Sequence, residues 1–91
     1  GRVNNGPLAP AHGGTGDAGS DFDHLTGGNS APAPEGSRLP PGSVVGENGV
    51  IFRPGSGSTG PRIDIPASGD KPHETLHYPV PPPPPPKENK Q

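Results

Sequence analysis

The sequence predicts a mostly irregular, disordered Gly/Pro-rich chain with one small β-rich segment, a hairpin or three-strand meander within residues 43–78. Three observations lead there. Glycine and proline supply 16 and 17 of the 91 residues, a non-periodic share above the roughly 25–30% that marks low-complexity chain. Only 23% of residues are apolar, with no Trp, Cys or Met and three aromatics, Phe22, Phe52 and Tyr78. Ordering a backbone costs roughly 1–2 kcal/mol per residue, and so sparse an apolar content offsets little of it. Finally, apolar and chemically capable residues gather after Ser43.

Residues 1–42 read as linker. Within them Ser20-Asp21-Phe22-Asp23-His24-Leu25-Thr26 is the one helical turn, with Ser20 or Asp21 as cap and Gly27-Gly28 as stop. A helix that short is not stable alone in water. Beyond Ser43, Val44-Val45 and Val50-Ile51-Phe52 flank Asn48-Gly49. Asn-Gly is the preferred pair of a two-residue type I′ hairpin turn, because both positions need positive φ. Residues 54–61 form a Gly/Ser-rich connector. Arg62-Ile63-Asp64-Ile65 alternates charged and apolar side chains, the period of a strand, and Pro66 stops it. Leu76-His77-Tyr78 is a last extended segment, which Pro79 favours further. Residues 79–91 are a polyproline tail, since the six prolines from Pro81 to Pro86 adopt polyproline II.

Composition also bounds function. The absence of cysteine excludes disulfides and thiolate metal sites. A formal net charge of −2 argues against a general nucleic-acid binder with a basic stripe, yet leaves room for a nuclease with a compact, locally basic site. No apolar run approaches the ~20 residues of a spanning helix, so no membrane partner is expected. The first residues lack the apolar core of a signal peptide and read as the middle or end of something longer.

Arg62, Asp64, His73, Glu74, His77 and Tyr78 fall within seventeen residues. An imidazole is the usual general acid or base near neutral pH, a guanidinium can face a developing phosphorane, and a carboxylate can orient an imidazole. These are parts for metal-independent phosphodiester cleavage; the plainer reading is a solvated strand edge. His73-Glu74-Thr75-Leu76-His77 formally matches HExxH. Pro72 and Pro79 would leave its helix barely two turns, and no third ligand is near, so neither a metal nor another cofactor is expected. Pro82-x-x-Pro85-x-Lys87 matches the pattern of SH3 ligands. It offers residues 79–87 to a proline-binding domain of SH3 or profilin type, against the plainer reading of a stiff spacer.

Three segments taken together, Val-Gly-Glu-Asn-Gly-Val-Ile-Phe-Arg (45–53), Gly-Pro-Arg-Ile-Asp-Ile-Pro (60–66) and Gly-Asp-Lys-Pro-His-Glu-Thr-Leu-His-Tyr (69–78), resemble the C-terminal toxin modules of bacterial polymorphic toxins. The closest pattern is that of polymorphic toxin type 24, found at the ends of Rhs-repeat and contact-dependent inhibition proteins. The resemblance implies a secreted effector delivered to the cytoplasm of a neighbouring cell. It further implies a cognate immunity protein as partner, RNA as substrate, and ribonuclease activity. By position, His77 would be the acid/base, Asp64 the carboxylate that orients it, and Arg62 and Lys71 the phosphate-facing cations, with Tyr78 beside them at the substrate. The competing expectation is non-enzymatic, a proline-rich interaction segment or spacer.

Overall fold

The β-favouring runs that begin at Val44 and the alternating segment Arg62–Ile65 are realised as the centre of a sheet. The computed structural model describes residues 2–81. In chain order it contains β1 (Val3–Asn5), a 3₁₀ turn (Pro10–His12), α1 (Ala18–Thr26), β2 (Ser30–Pro32), β3 (Val44–Gly46), β4 (Ile51–Arg53), β5 (Arg62–Ile65) and β6 (Glu74–His77). The six strands form one sheet in the order β1-β6-β5-β4-β3-β2. Neighbours are antiparallel except β1, which runs parallel to β6 at the edge.

This overturns the expectation of a mostly irregular, disordered chain. The physical reason lies in where the breaking residues fall. Apart from Gly19 in α1, Gly46 in β3 and Pro32 in β2, the glycines and prolines of the described residues occupy caps, turns and connections. There they specify local geometry without interrupting the ladders. Residues 2–42, read as linker, supply both edge strands and the helix. Edge strands tolerate residues such as Asn4, Asn5 and Pro32 because one side of the ladder is free.

α1 starts where the Asp17 side chain accepts a hydrogen bond from the Ser20 amide at 2.9 Å, so the cap is Asp17 and not Ser20 or Asp21. It stops at Gly27 in the left-handed region, φ 64°, as the Gly-Gly pair predicts. Tertiary burial holds this nine-residue helix. Ala18 and Phe22 join Val50, Ile63, Leu76 and Tyr78 in the core, and the Phe22 and Phe52 rings lie 5.8 Å apart. The helix packs closely enough that Gly46 has no room for a Cβ, which would lie 2.5 Å from Thr26 Cγ2.

The β3–β4 hairpin forms, but its turn is not the expected two-residue type I′. The Gly46 amide donates to Val50 O and the Gly49 amide to Gly46 O, enclosing three residues, Glu47 to Gly49. Only Gly49 takes positive φ, 87°, which is the turn-plus-bulge arrangement of three-residue hairpins. The Pro82-x-x-Pro85-x-Lys87 pattern lies outside the described residues.

Candidate functional site

Strand register decides which side chains meet. Ile63 pairs with Phe52 on one side and Leu76 on the other, and that face carries α1. Side chains alternate along a strand, so the opposite face receives Arg53, Arg62, Asp64, Thr75 and His77, with Asn4 contributed by the edge strand. Arg53, Arg62 and His77 form one cross-strand row; Asp64, Thr75 and Asn4 form the next. His73, immediately before β6, falls on the same face by the same alternation.

Asp64 anchors this cluster. Its Oδ2 accepts from Arg53 Nε at 2.6 Å and its Oδ1 from the Thr75 hydroxyl at 2.8 Å. His73 Nε2 stands 3.9 Å from the same Oδ1. Burial opposes ionisation of Asp64, but the Arg53 and Thr75 hydrogen bonds and the charges of Arg53 and His73 outweigh it. They hold the carboxyl below its usual range. His77 is exposed, and its Nε2 lies 2.9 Å from Asn4 Oδ1. Two nitrogens on this face, Arg62 Nε and His73 Nε2, are buried without a hydrogen-bond partner among the described residues. Orphaned donors of this kind are uncommon and call for an explanation. Two guanidiniums against one carboxylate make the face locally basic on a chain of formal net charge −2.

The residues predicted from sequence divide between the two sides of the sheet. Arg62, Asp64 and His77 come together. Lys71 does not: it sits in the exposed Ser68–Lys71 turn, lining a groove with Leu8 and His12. Tyr78 lies in the core on the helix face, where its hydroxyl donates to Asp21 Oδ2 at 2.6 Å. The expected pairing of Asp64 with His77 is replaced by two separate ones, Asp64 with Arg53, Thr75 and His73, and His77 with Asn4. Arg53 and Asn4 were not predicted. Arg53 was legible in principle, since it keeps the parity of Ile51 at the end of a strand; Asn4 was not, because three-residue β1 has no β-forming pattern.

His73 and His77 stand at the two ends of an extended segment rather than on a helix, which separates them far beyond what a shared metal ion allows. Among the described residues no group of three or more His, Asp or Glu side chains is placed to hold a metal. No helix there is long and apolar enough to cross a membrane. A cavity of about 530 Å³ lies beneath the residue 33–43 loop, but its one charged lining residue is Glu35 and it holds no arginine or histidine. The polar sheet face, locally basic, is where the chemistry collects. Comparison of the chain with protein-family models, with curated proteins and with solved structures finds no match.

Proposed function

We propose that this chain is the C-terminal toxin module of a secreted bacterial effector, a metal-independent ribonuclease that acts in neighbouring cells and is restrained by a cognate immunity protein. One observation carries the catalytic part: Arg62, Asp64 and His77, brought together by the register of β5 with β6, share a locally basic face with Arg53 and His73. That set contains what phosphodiester cleavage needs, imidazoles to move protons and guanidiniums to face the charge on phosphorus. The motifs at 45–53, 60–66 and 69–78 support the toxin reading by resemblance.

The test is expression of the 91-residue chain inside bacteria, followed by electrophoresis of total RNA. Growth should arrest and RNA should fragment, with purified protein active in the presence of a chelator. His77→Ala should lower cleavage by about 10²–10⁴-fold, the usual contribution of a general acid or base. Intact RNA and normal growth with a chain shown to be folded would sink the proposal.

A further inference from the structure

The described chain carries Asn-Gly twice, at Asn5-Gly6 and Asn48-Gly49, and the fold treats the two pairs oppositely. In this dipeptide the side-chain amide is open to the following backbone nitrogen, because glycine has no Cβ to hinder the approach. At Asn48 the reacting groups are all engaged. Its Nδ2 donates to Leu25 O at 3.0 Å, its Oδ1 accepts from the Val50 amide at 3.3 Å, and the Gly49 amide donates to Gly46 O at 2.9 Å. The Asn48 amide is thus pinned between the end of α1 and Val50, and the nitrogen that would attack it is occupied. At Asn5 the corresponding nitrogen is free. The Val3 amide donates to His73 O at 2.8 Å, and amides along an edge strand alternate between the partner strand and the open side. Val3 and Asn5 therefore face β6, while the Gly6 amide faces outward and has no backbone acceptor among the described residues. Asn5 and Gly6 are both exposed, and a Cβ on Gly6 would meet nothing within 4 Å. The Asn5 Nδ2 donates to Glu74 Oε2 at the surface, where water replaces such a bond at little cost. Asn5 also ends a three-residue strand, and strand ends fray readily.

We infer that Asn5-Gly6 is a site of self-modification, where the chain converts Asn5 to aspartate and isoaspartate through a succinimide, while the fold holds Asn48-Gly49 inert. The Gly6 nitrogen gives up its proton to hydroxide and forms a bond to Asn5 Cγ. The bond from Cγ to Nδ2 breaks, and Nδ2 leaves as ammonia after taking a proton from water. One water then opens the five-membered ring. Opening at Cγ gives aspartate; opening at the backbone carbonyl carbon gives isoaspartate, with the chain continuing through Cγ. Ammonia leaves and water enters, so the step needs no oxidant and no second enzyme. Either product replaces the Asn5 donor by a negative charge beside Glu74, and like charges on neighbouring strands repel. Only three residue pairs join β1 to β6. Modification therefore loosens this edge strand, and with it the Asn4 oxygen that stands 2.9 Å from His77 Nε2.

The test is incubation of the purified 91-residue chain at mildly alkaline pH, followed by trypsin digestion and mass spectrometry at intervals. Cleavage after Arg2, Arg38 and Arg62, with Arg53 shielded by Pro54, places Asn5 in peptide 3–38 and Asn48 in peptide 39–62. The mass gain from exchanging ammonia for water should appear in the first peptide and map to residue 5 on fragmentation. A protein isoaspartyl methyltransferase should label the same peptide. In the second peptide the gain should be at least about tenfold slower, since each hydrogen bond around Asn48 contributes a net factor of roughly 2 to 10. In strong denaturant the two sites should react at similar rates. Asn5→Gln, which would have to close a six-membered ring, should abolish the gain at residue 5. Asn5→Asp, one product made in advance, should speed exchange of the Val3 amide hydrogen several-fold. Equal rates at the two sites in the folded chain overturn the inference, as does a gain that maps to Asn4 or Asn29 instead, or a residue 5 as strongly protected by folding as residue 48. Unchanged Val3 exchange in Asn5→Asp overturns the loosening of β1. Every readout is independent of RNA cleavage, so none of these results bears on the nuclease reading.

Discussion

Asp21 is fully buried and ionisable, and the way its carboxylate is satisfied explains how a chain so poor in apolar residues holds its ends together. The Tyr78 hydroxyl donates to Oδ2 at 2.6 Å, while the Thr15 amide and hydroxyl donate to Oδ1 at 2.8 and 2.9 Å. The Leu8 amide in turn donates to the Tyr78 hydroxyl at 3.2 Å. Burial works against the charge on Asp21, but these bonds outweigh it and hold its pKa below the ordinary value. One polar network therefore ties the loop before α1, the helix itself and the end of the β6 segment. Tyr78→Phe keeps the ring in the core and removes one donor to a buried carboxylate. It should lower stability by about 1–3 kcal/mol, measured by urea unfolding. Cleavage per folded molecule should stay unchanged, because the hydroxyl lies on the face opposite the two histidines. A rate loss greater than the loss of folded protein would return Tyr78 to the substrate.

Among the elements, the helix docks on the sheet at its tightest where Thr26 crosses Gly46. A Cβ on Gly46 would fall 2.5 Å from Thr26 Cγ2 and 2.8 Å from Asn48 Oδ1. Gly46→Ala should then cost about 1–3 kcal/mol, the usual effect of overpacking. Thr26→Ser in the same chain should recover part of that, since it deletes the methyl but keeps the hydroxyl bond to Phe22 O at 3.0 Å. Equal unfolding midpoints for Gly46→Ala and the parent would mean that α1 is not seated as described. The central part of the sheet was legible in outline, from the β-favouring runs around Asn48-Gly49 and the alternation of Arg62-Ile63-Asp64-Ile65, although β6 begins at Glu74, two residues before the extended segment expected at Leu76. That alternation put Arg62 and Asp64 on one face, and His77 joins them through the register of β5 with β6. β1 and β2 were not legible, since Val-Asn-Asn and Ser-Ala-Pro have no intrinsic preference for a strand and pair only because the sheet offers an edge. With β1 went Asn4, and with Asn4 the partner of His77. The helix was visible as capped turns, but its persistence depends on Phe22 meeting Phe52, a contact no local pattern encodes.

At the scale of the whole molecule, the small core and the two buried carboxylate networks make stability depend on pH at both ends. Asp21 and Asp64 both have folded pKa values below the ordinary 3.8. Below that value the unfolded chain takes up protons first, so their stabilisation is present above about pH 4 and is lost as pH falls through the lower folded values. Tyr78 shifts the other way. Burial, with its hydrogen bond to Asp21 and the charges of Asp21 and Asp17, raises it from 10.0 to about 12 despite the opposing Leu8 amide. Its contribution is full below pH 10 and disappears as pH climbs from 10 to about 12, because the unfolded chain releases that proton earlier. The chain has one tyrosine and no tryptophan, so ultraviolet absorbance of the phenolate reports this single group without interference. Absorbance titration of the folded chain should give a midpoint well above 10, and the same titration in strong denaturant should return it to about 10. Urea midpoints should fall on the acid side below pH 4 and on the alkaline side above pH 10. Tyr78→Phe should abolish the part of the alkaline fall that tracks the absorbance change, while the acid side persists through Asp64 and the Thr15 bonds that Asp21 keeps. A phenolate midpoint near 10 in the folded chain would place Tyr78 in water, and with it break the link between the Leu8–Thr15 loop, α1 and the last strand.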